Sequence, residues 1–80
     1  MKLEIITPEK ALYKGEVESL SVPGSKGAFM ILHNHAPIIS MLDKGVISFS
    51  PTGTDKKTIQ IEGGVVEVKK NEIIILADLE

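Results

Sequence analysis

No cysteine and no tryptophan occur among the 80 residues. The first absence rules out a disulfide framework and a thiolate metal site. Aromatic rings are limited to Tyr13, Phe29 and Phe49, too few for a platform on which single-stranded nucleic acid could stack. An excess of positive charge is also missing. Lys and Arg total 9 against 11 Asp and Glu, a net charge of −2, and the lysines are scattered with no basic stripe. Binding to a phosphate backbone has little to work with. No apolar run approaches the ~20 residues of a bilayer-spanning helix. The start, Met1-Lys2-Leu3-Glu4, carries an acid too early for a secretory signal. The expectation is a cytosolic chain without direct membrane insertion, able to sit against a membrane complex.

What is present is aliphatic. Hydrophobic residues make up 42% of the chain, mostly Ile, Val and Leu. The length fits one domain, 1–80. A fold this small buries only ~60–65% of the surface its unfolded chain exposes, so its stability must come from a compact apolar core, a partner, or both. Short β-branched runs punctuated by Gly and Pro predict an all-β domain.

Leu3 to Thr7 reads as a first strand, followed by a turn at Pro8-Glu9-Lys10 and a short segment, Ala11 to Lys14, with Gly15 allowing a bend. From Glu16 to Val22 one face changes from polar to apolar midway, which suggests a bulge or a strand leaving the sheet edge. Ala28 to Leu32 is a continuous apolar run, expected to be a strand buried on both faces. Ile38 to Leu42 fits either a short helix between Pro37 and Gly45 or a strand.

Beyond Gly45 the alternation is clean. Ile47 and Phe49, then Ile59 and Ile61, then Val66 and Val68 take the inward positions. Gly63-Gly64 is expected to supply positive φ at a hairpin turn, and Lys70-Asn71 forms another turn before a last strand, Glu72 to Ala77. Strands this short, with no helix to cover a sheet, must bury one sheet against another, as a sandwich or a flattened barrel.

The candidate chemistry is thin. His33 and His35 have the alternate spacing of a shared metal site, but only Asp43 and Glu62 offer a third ligand and neither has a fitting spacing. Ser40, His35 and Asp43 have the composition of a nucleophilic triad without the strained, glycine-flanked turn that exposes such a serine. Pro23-Gly24-Ser25-Lys26-Gly27 has glycines and a lysine, but an apolar run follows it where a phosphate loop needs a helix. Glu67 and Glu72, with Lys69 and Lys70 between them, read as a solvated hairpin face. No catalytic site, metal, nucleotide or cofactor is expected.

The order of the punctuation carries more. It runs Thr7-Pro8-Glu9-Lys10, Gly15-Glu16-Val17, Val22-Pro23-Gly24, Gly27-Ala28-Phe29-Met30-Ile31-Leu32, His35-Ala36-Pro37, Leu42 and Gly45. It closes with Gly63-Gly64-Val65-Val66-Glu67-Val68, Asn71 and Leu76-Ala77-Asp78. This series closely resembles the N-terminal domain of the ATP synthase epsilon subunit, called delta in mitochondria, over essentially the whole chain.

The resemblance implies a flattened ten-stranded β-sandwich in which Ile38 to Leu42 is a strand. It also implies a non-catalytic rotor subunit, monomeric in isolation and present once per complex. Its place would be the central stalk of an F-type ATP synthase on the cytoplasmic face of a bacterial membrane, between the gamma subunit and the c-ring. The positions matching the c-ring contact are Pro23, Gly24, Ser25, Lys26, Gly27 and Ala28. Those matching gamma contacts are Thr7, His35 and Ser40.

Ala28 stands where members often carry an acid, Met30 where they carry Gly, and His33 where they commonly carry Pro or another residue. The helical hairpin of many members would begin where this sequence stops, so neither hairpin inhibition nor a nucleotide site is expected.

An obligate stalk contact would leave one face unusually apolar, with Ile6, Val65 and Ile73 as candidates, each competing with a place in the core. The readings in other classes are a free-standing protein-binding barrel and a small metal enzyme built on His33 and His35.

Overall fold

The computed structural model describes every residue except His35, Thr54 and Glu80. The described residues form eight strands: β1 Lys2–Ile6, β2 Ala11–Val22, β3 Phe29–Ile31, β4 Ile38–Leu42, β5 Gly45–Pro51, β6 Lys57–Ile61, β7 Gly63–Lys69 and β8 Glu72–Asp78. They pair in the order β4-β7-β8-β1-β2-β5-β6, with β3 beside β2. Every pairing is antiparallel except β1 with β8.

The sheet curls over itself at β2. The first half of this 12-residue strand pairs with β1, and the second half pairs with β5 and β3. The change of partner coincides with a register irregularity between Val17 and Ser19. Val17 points inward, and beyond the irregularity Leu20 and Val22 do, so the inward parity moves from odd to even positions while Glu16 and Glu18 stay exposed. An inserted residue bends a strand and increases its twist, which is what a corner needs. The bulge expected between Glu16 and Val22 is therefore present. The bend expected at Gly15 is not, because β2 runs through it unbroken.

The core lies between the two halves of the curled sheet. Leu3 and Ile5 of β1, Ile47 and Phe49 of β5, Val66 and Val68 of β7, and Ile73 and Ile75 of β8 are all at most 2% exposed. Tyr13 packs on Phe49 with ring centroids 4.6 Å apart and planes tilted by 52°, a favourable edge-inclined arrangement.

Four expectations need correction. The ten strands are eight, because β2 serves both halves as one strand and residues 23–28 form a loop with a single bridge, Gly24 to Leu42. The run from Ala28 to Leu32 is not buried on both faces. Ile31 is fully buried, but Met30 is 56% exposed, since β3 pairs with β2 and no second layer covers its outer side.

Gly63-Gly64 is not a hairpin turn: β6 pairs with β5, and β7 pairs with β4 and β8, so the chain crosses here from one half of the sheet to the other. Ile73 belongs to the core, at 1% exposure. The turn at Lys70-Asn71 is as expected, with φ of 49° and 62° in the left-handed region.

Candidate docking surfaces

The loop after β2 has a fixed root and a free tip. Pro23 accepts a hydrogen bond from the amide of Asp43 at 2.8 Å, and the amide of Ser25 donates to the carbonyl of Met41 at 2.9 Å. These two bonds form the Gly24 to Leu42 bridge and lay the root along the free edge of β4. Gly24 is buried, and a side chain there would collide with the ring of Phe29 and the carbonyl of Gly27. A turn closed by the Gly27 amide on the Gly24 carbonyl, with φ 126° at Gly27, projects Ser25, Lys26, Gly27 and Ala28 into solvent. All six residues named for this loop are thus adjacent, but only the last four offer exposed surface.

The second group is dispersed differently. Thr7 is 6% exposed. Its hydroxyl donates to the Lys10 carbonyl at 3.0 Å and accepts from the Lys10 amide at 3.1 Å, closing the turn between β1 and β2. Ser40 is half-buried on β4 and donates its hydroxyl to the Met41 carbonyl at 3.2 Å. His35 lies outside the described residues. The backbone around Thr7 and the Met41 side of β4 meet in a shallow depression of about 420 Å³, lined also by Ile6, Pro8, Val65 and Leu76.

Around that depression lies a feature that inspection of single strands does not reveal. Register places Met41 beside Val65, Val65 beside Leu76, and Leu76 beside Ile6, an apolar row across β4, β7, β8 and β1 on the outer face. Met41 is 61% exposed and Leu76 54%, and Ile39 and Ile74 extend the patch.

The next row alternates in character: Ile39, Glu67, Ile74, Glu4, Lys14. The row beyond it, Lys69, Glu72, Lys2, Glu16, alternates strictly in charge. Opposed charges on neighbouring strands stabilise one another and favour water. One end of this face is therefore solvated and self-neutralised, while the other exposes a contiguous apolar surface of the kind that marks an interface. Ile6 and Val65 are in that row; Ile73, on the opposite side of β8, is not. The available signal was the unbroken run Ile73-Ile74-Ile75-Leu76, which makes both faces of one strand apolar.

Among the described residues no group of three or more His, Asp or Glu side chains converges on a point where an ion could sit. Glu62 approaches the Lys44 ammonium at 3.9 Å, with both side chains exposed. Glu67 sits opposite Ile74, and Glu72 opposite Lys69, so the two hairpin carboxylates are not paired.

The family model for the ATP synthase delta/epsilon chain β-sandwich domain matches residues 1–79. The chain belongs to this family. Among relatives of the delta/epsilon domain, it is 51% identical over 78 residues to the ATP synthase epsilon chain of Leptospira interrogans, covering 98% of this chain and 61% of that one. It is 40% identical over 77 residues to the epsilon chain of Chlorobium limicola, covering 96% and 88%. The chain thus spans about three-fifths of the Leptospira relative and most of the Chlorobium one.

Two solved assemblies contain chains of the same fold. One is the Euglena gracilis mitochondrial ATP synthase, OSCP/F1/c-ring, with a TM-score of 0.87 at 21% identity, covering 94% of this chain and 48% of that chain. The other is the Tetrahymena thermophila mitochondrial ATP synthase central stalk and c-ring, with a TM-score of 0.82 at 19% identity, covering 98% and 63%. The same fold therefore occurs where little sequence identity remains.

Proposed function

We propose that this chain is a non-catalytic central-stalk subunit of an F-type ATP synthase, linking the gamma subunit to the c-ring on the cytoplasmic face of a bacterial membrane. Its role is to turn with both and help couple ion flow through the ring to ATP synthesis. The observation that carries the reading is the bonding of the 23–28 loop root to β4, whose outer residues begin the apolar row. The loop tip would rest on the c-ring and the Met41, Val65, Leu76 and Ile6 surface on gamma; Ser40, on the other face of β4 beside Val66, and His35 are the further proposed gamma contacts. Thr7 would shape that surface from beneath. The names of the epsilon-chain relatives and the stalk and c-ring assemblies that share the fold support the same assignment.

A part that joins two partners under torque must not yield between them. The two backbone hydrogen bonds of the Gly24 to Leu42 bridge connect the two surfaces, and a close-packed core lies behind both.

The test is a calorimetric titration of the chain with its cognate gamma subunit, alongside the variant Leu76→Glu. Saturable one-to-one binding by the parent is expected, weakened by ~2 kcal/mol or more in the variant, because a carboxylate would be desolvated at an apolar contact. The variant's thermal stability should be unchanged, since Leu76 is 54% exposed. No binding by the folded parent at micromolar concentration would refute the stalk assignment and favour a free-standing binding module.

A further inference from the structure

Two connections far apart in the chain are tied by a pair of asparagines. The amide N–H of Asn34 donates to Oδ1 of Asn71 at 2.8 Å, and Nδ2 of Asn71 donates to Oδ1 of Asn34 at 3.2 Å. Asn34 belongs to the connection between β3 and β4, and Asn71 to the tip of the β7–β8 hairpin. Both have left-handed backbones, φ 63° and φ 62°. Asn71 is itself anchored, because its carbonyl accepts the Lys2 amide at 2.9 Å.

We infer that Asn71 is a positioning residue that holds Asn34 in the connection between β3 and β4 and so helps present that turn to the gamma subunit. The inference rests on the proposal that this turn, with His35, is part of the gamma contact.

The turn at Lys70-Asn71 does not account for the asparagine side chain. A left-handed residue at the second turn position is satisfied by glycine at least as well. The amide is surplus to the hairpin, and its two hydrogen bonds go to Asn34. The connection it grips carries the chain from β3, in one half of the curled sheet, to β4, at the edge of the other. A connection of this kind has many conformations open to it, and each contact with a neighbouring element removes some of them. The hairpin is a suitable anchor because β7 and β8 pair over seven residue pairs, from Gly63 with Asp78 to Lys69 with Glu72. A turn held in its binding conformation before encounter loses less freedom on docking.

The substitution Asn71→Gly keeps the hairpin's backbone requirement and removes both hydrogen bonds, and Asn34→Gly removes the reciprocal Nδ2 bond from the other side. Gamma binding by the 80-residue chain would be measured for the parent, Asn71→Gly, Asn34→Gly, the double variant and His35→Ala. Amide exchange at residue 34 would be followed in the parent and in Asn71→Gly. The expected result is affinity about tenfold lower for Asn71→Gly, as when the docking-competent conformation falls to about a tenth of the population. Its melting temperature should change by less than about 3 °C, because the lost bonds are exposed. Residue 34 should exchange faster, and the double variant should be no weaker than Asn71→Gly.

Parental affinity in Asn71→Gly together with accelerated exchange would overturn the positioning role while leaving the gamma contact intact. Parental exchange at residue 34 would overturn the clasp itself. Parental affinity in His35→Ala would instead remove the turn from the interface, and the positioning role with it.

Discussion

The amide of Ser25 donates to the carbonyl of Met41 at 2.9 Å, which pairs the root of the 23–28 loop with the end of the edge strand β4. A sheet edge left open is a template for unwanted pairing, and covering it with a loop is one remedy. Here the covering loop is also the one proposed to reach the c-ring.

The first prediction concerns that attachment. The amides of Ser25 and Asp43 are bonded to the Met41 and Pro23 carbonyls, whereas Lys26 and Ala28 lie at the exposed tip. Hydrogen exchange at Ser25 and Asp43 should be slower than at Lys26 and Ala28 by at least about tenfold after correction for intrinsic rates. Equal exchange at all four would show that the root is detached in solution.

A pair of glycines supplies the second. A side-chain carbon at Gly64 would collide with the carbonyl oxygen of Leu76 on the neighbouring strand, while at Gly63 the nearest atom, the Leu42 carbonyl oxygen, would be 3.5 Å away. Gly64→Ala should destabilise the fold by ~2–4 kcal/mol, and Gly63→Ala by less than ~1 kcal/mol. A domain of this size has only ~4–12 kcal/mol to lose. Urea denaturation of both variants reads the difference, and equal midpoints would mean that β7 and β8 are not so closely paired at this point.

Thr7 yields the third. Its methyl and hydroxyl are both buried, and the hydroxyl is bonded to the amide and carbonyl of Lys10. Thr7→Val keeps the shape and leaves the Lys10 amide without its side-chain acceptor, at a cost of ~1–2 kcal/mol. Thr7→Ser keeps the hydroxyl and should cost less than Thr7→Val. Thermal melts of the two should therefore separate, and a Thr7→Val protein as stable as the parent would place the stabilising contribution of this turn in its backbone.

Much of this was legible along the chain because it depends on local period. The inward sets Ile47 with Phe49 and Val66 with Val68 follow from alternation, since successive side chains on a strand face opposite ways whatever the partner. The Lys70-Asn71 turn and the irregularity in β2 also have local signatures, one in residue type and the other in a break of parity. Thr7, read as a contact on resemblance, is a buried turn residue. Its hydroxyl partner lies only three residues away, but the choice between bonding inward and facing a partner is made by packing.

What the amino-acid sequence determined by itself is the β class, the small aliphatic core, and the family to which the ordered Gly, Pro and His positions belong. The tertiary structure alone decided which strands are neighbours, because pairing is a choice among distant segments and no local rule ranks them. A glycine pair in a hairpin and a glycine pair in a crossing look alike until β6 and β7 are seen to take different partners. The parallel pairing of β1 with β8 joins the two ends of the chain, Leu3 lying beside Ile73. The apolar row from Met41 to Ile6 exists only once four registers are set together, and the clasp between Asn34 and Asn71 closes across 37 positions. Burial on one strand is a property of its own period. A surface shared by four strands is a property of their register, and that was settled only when the whole core packed.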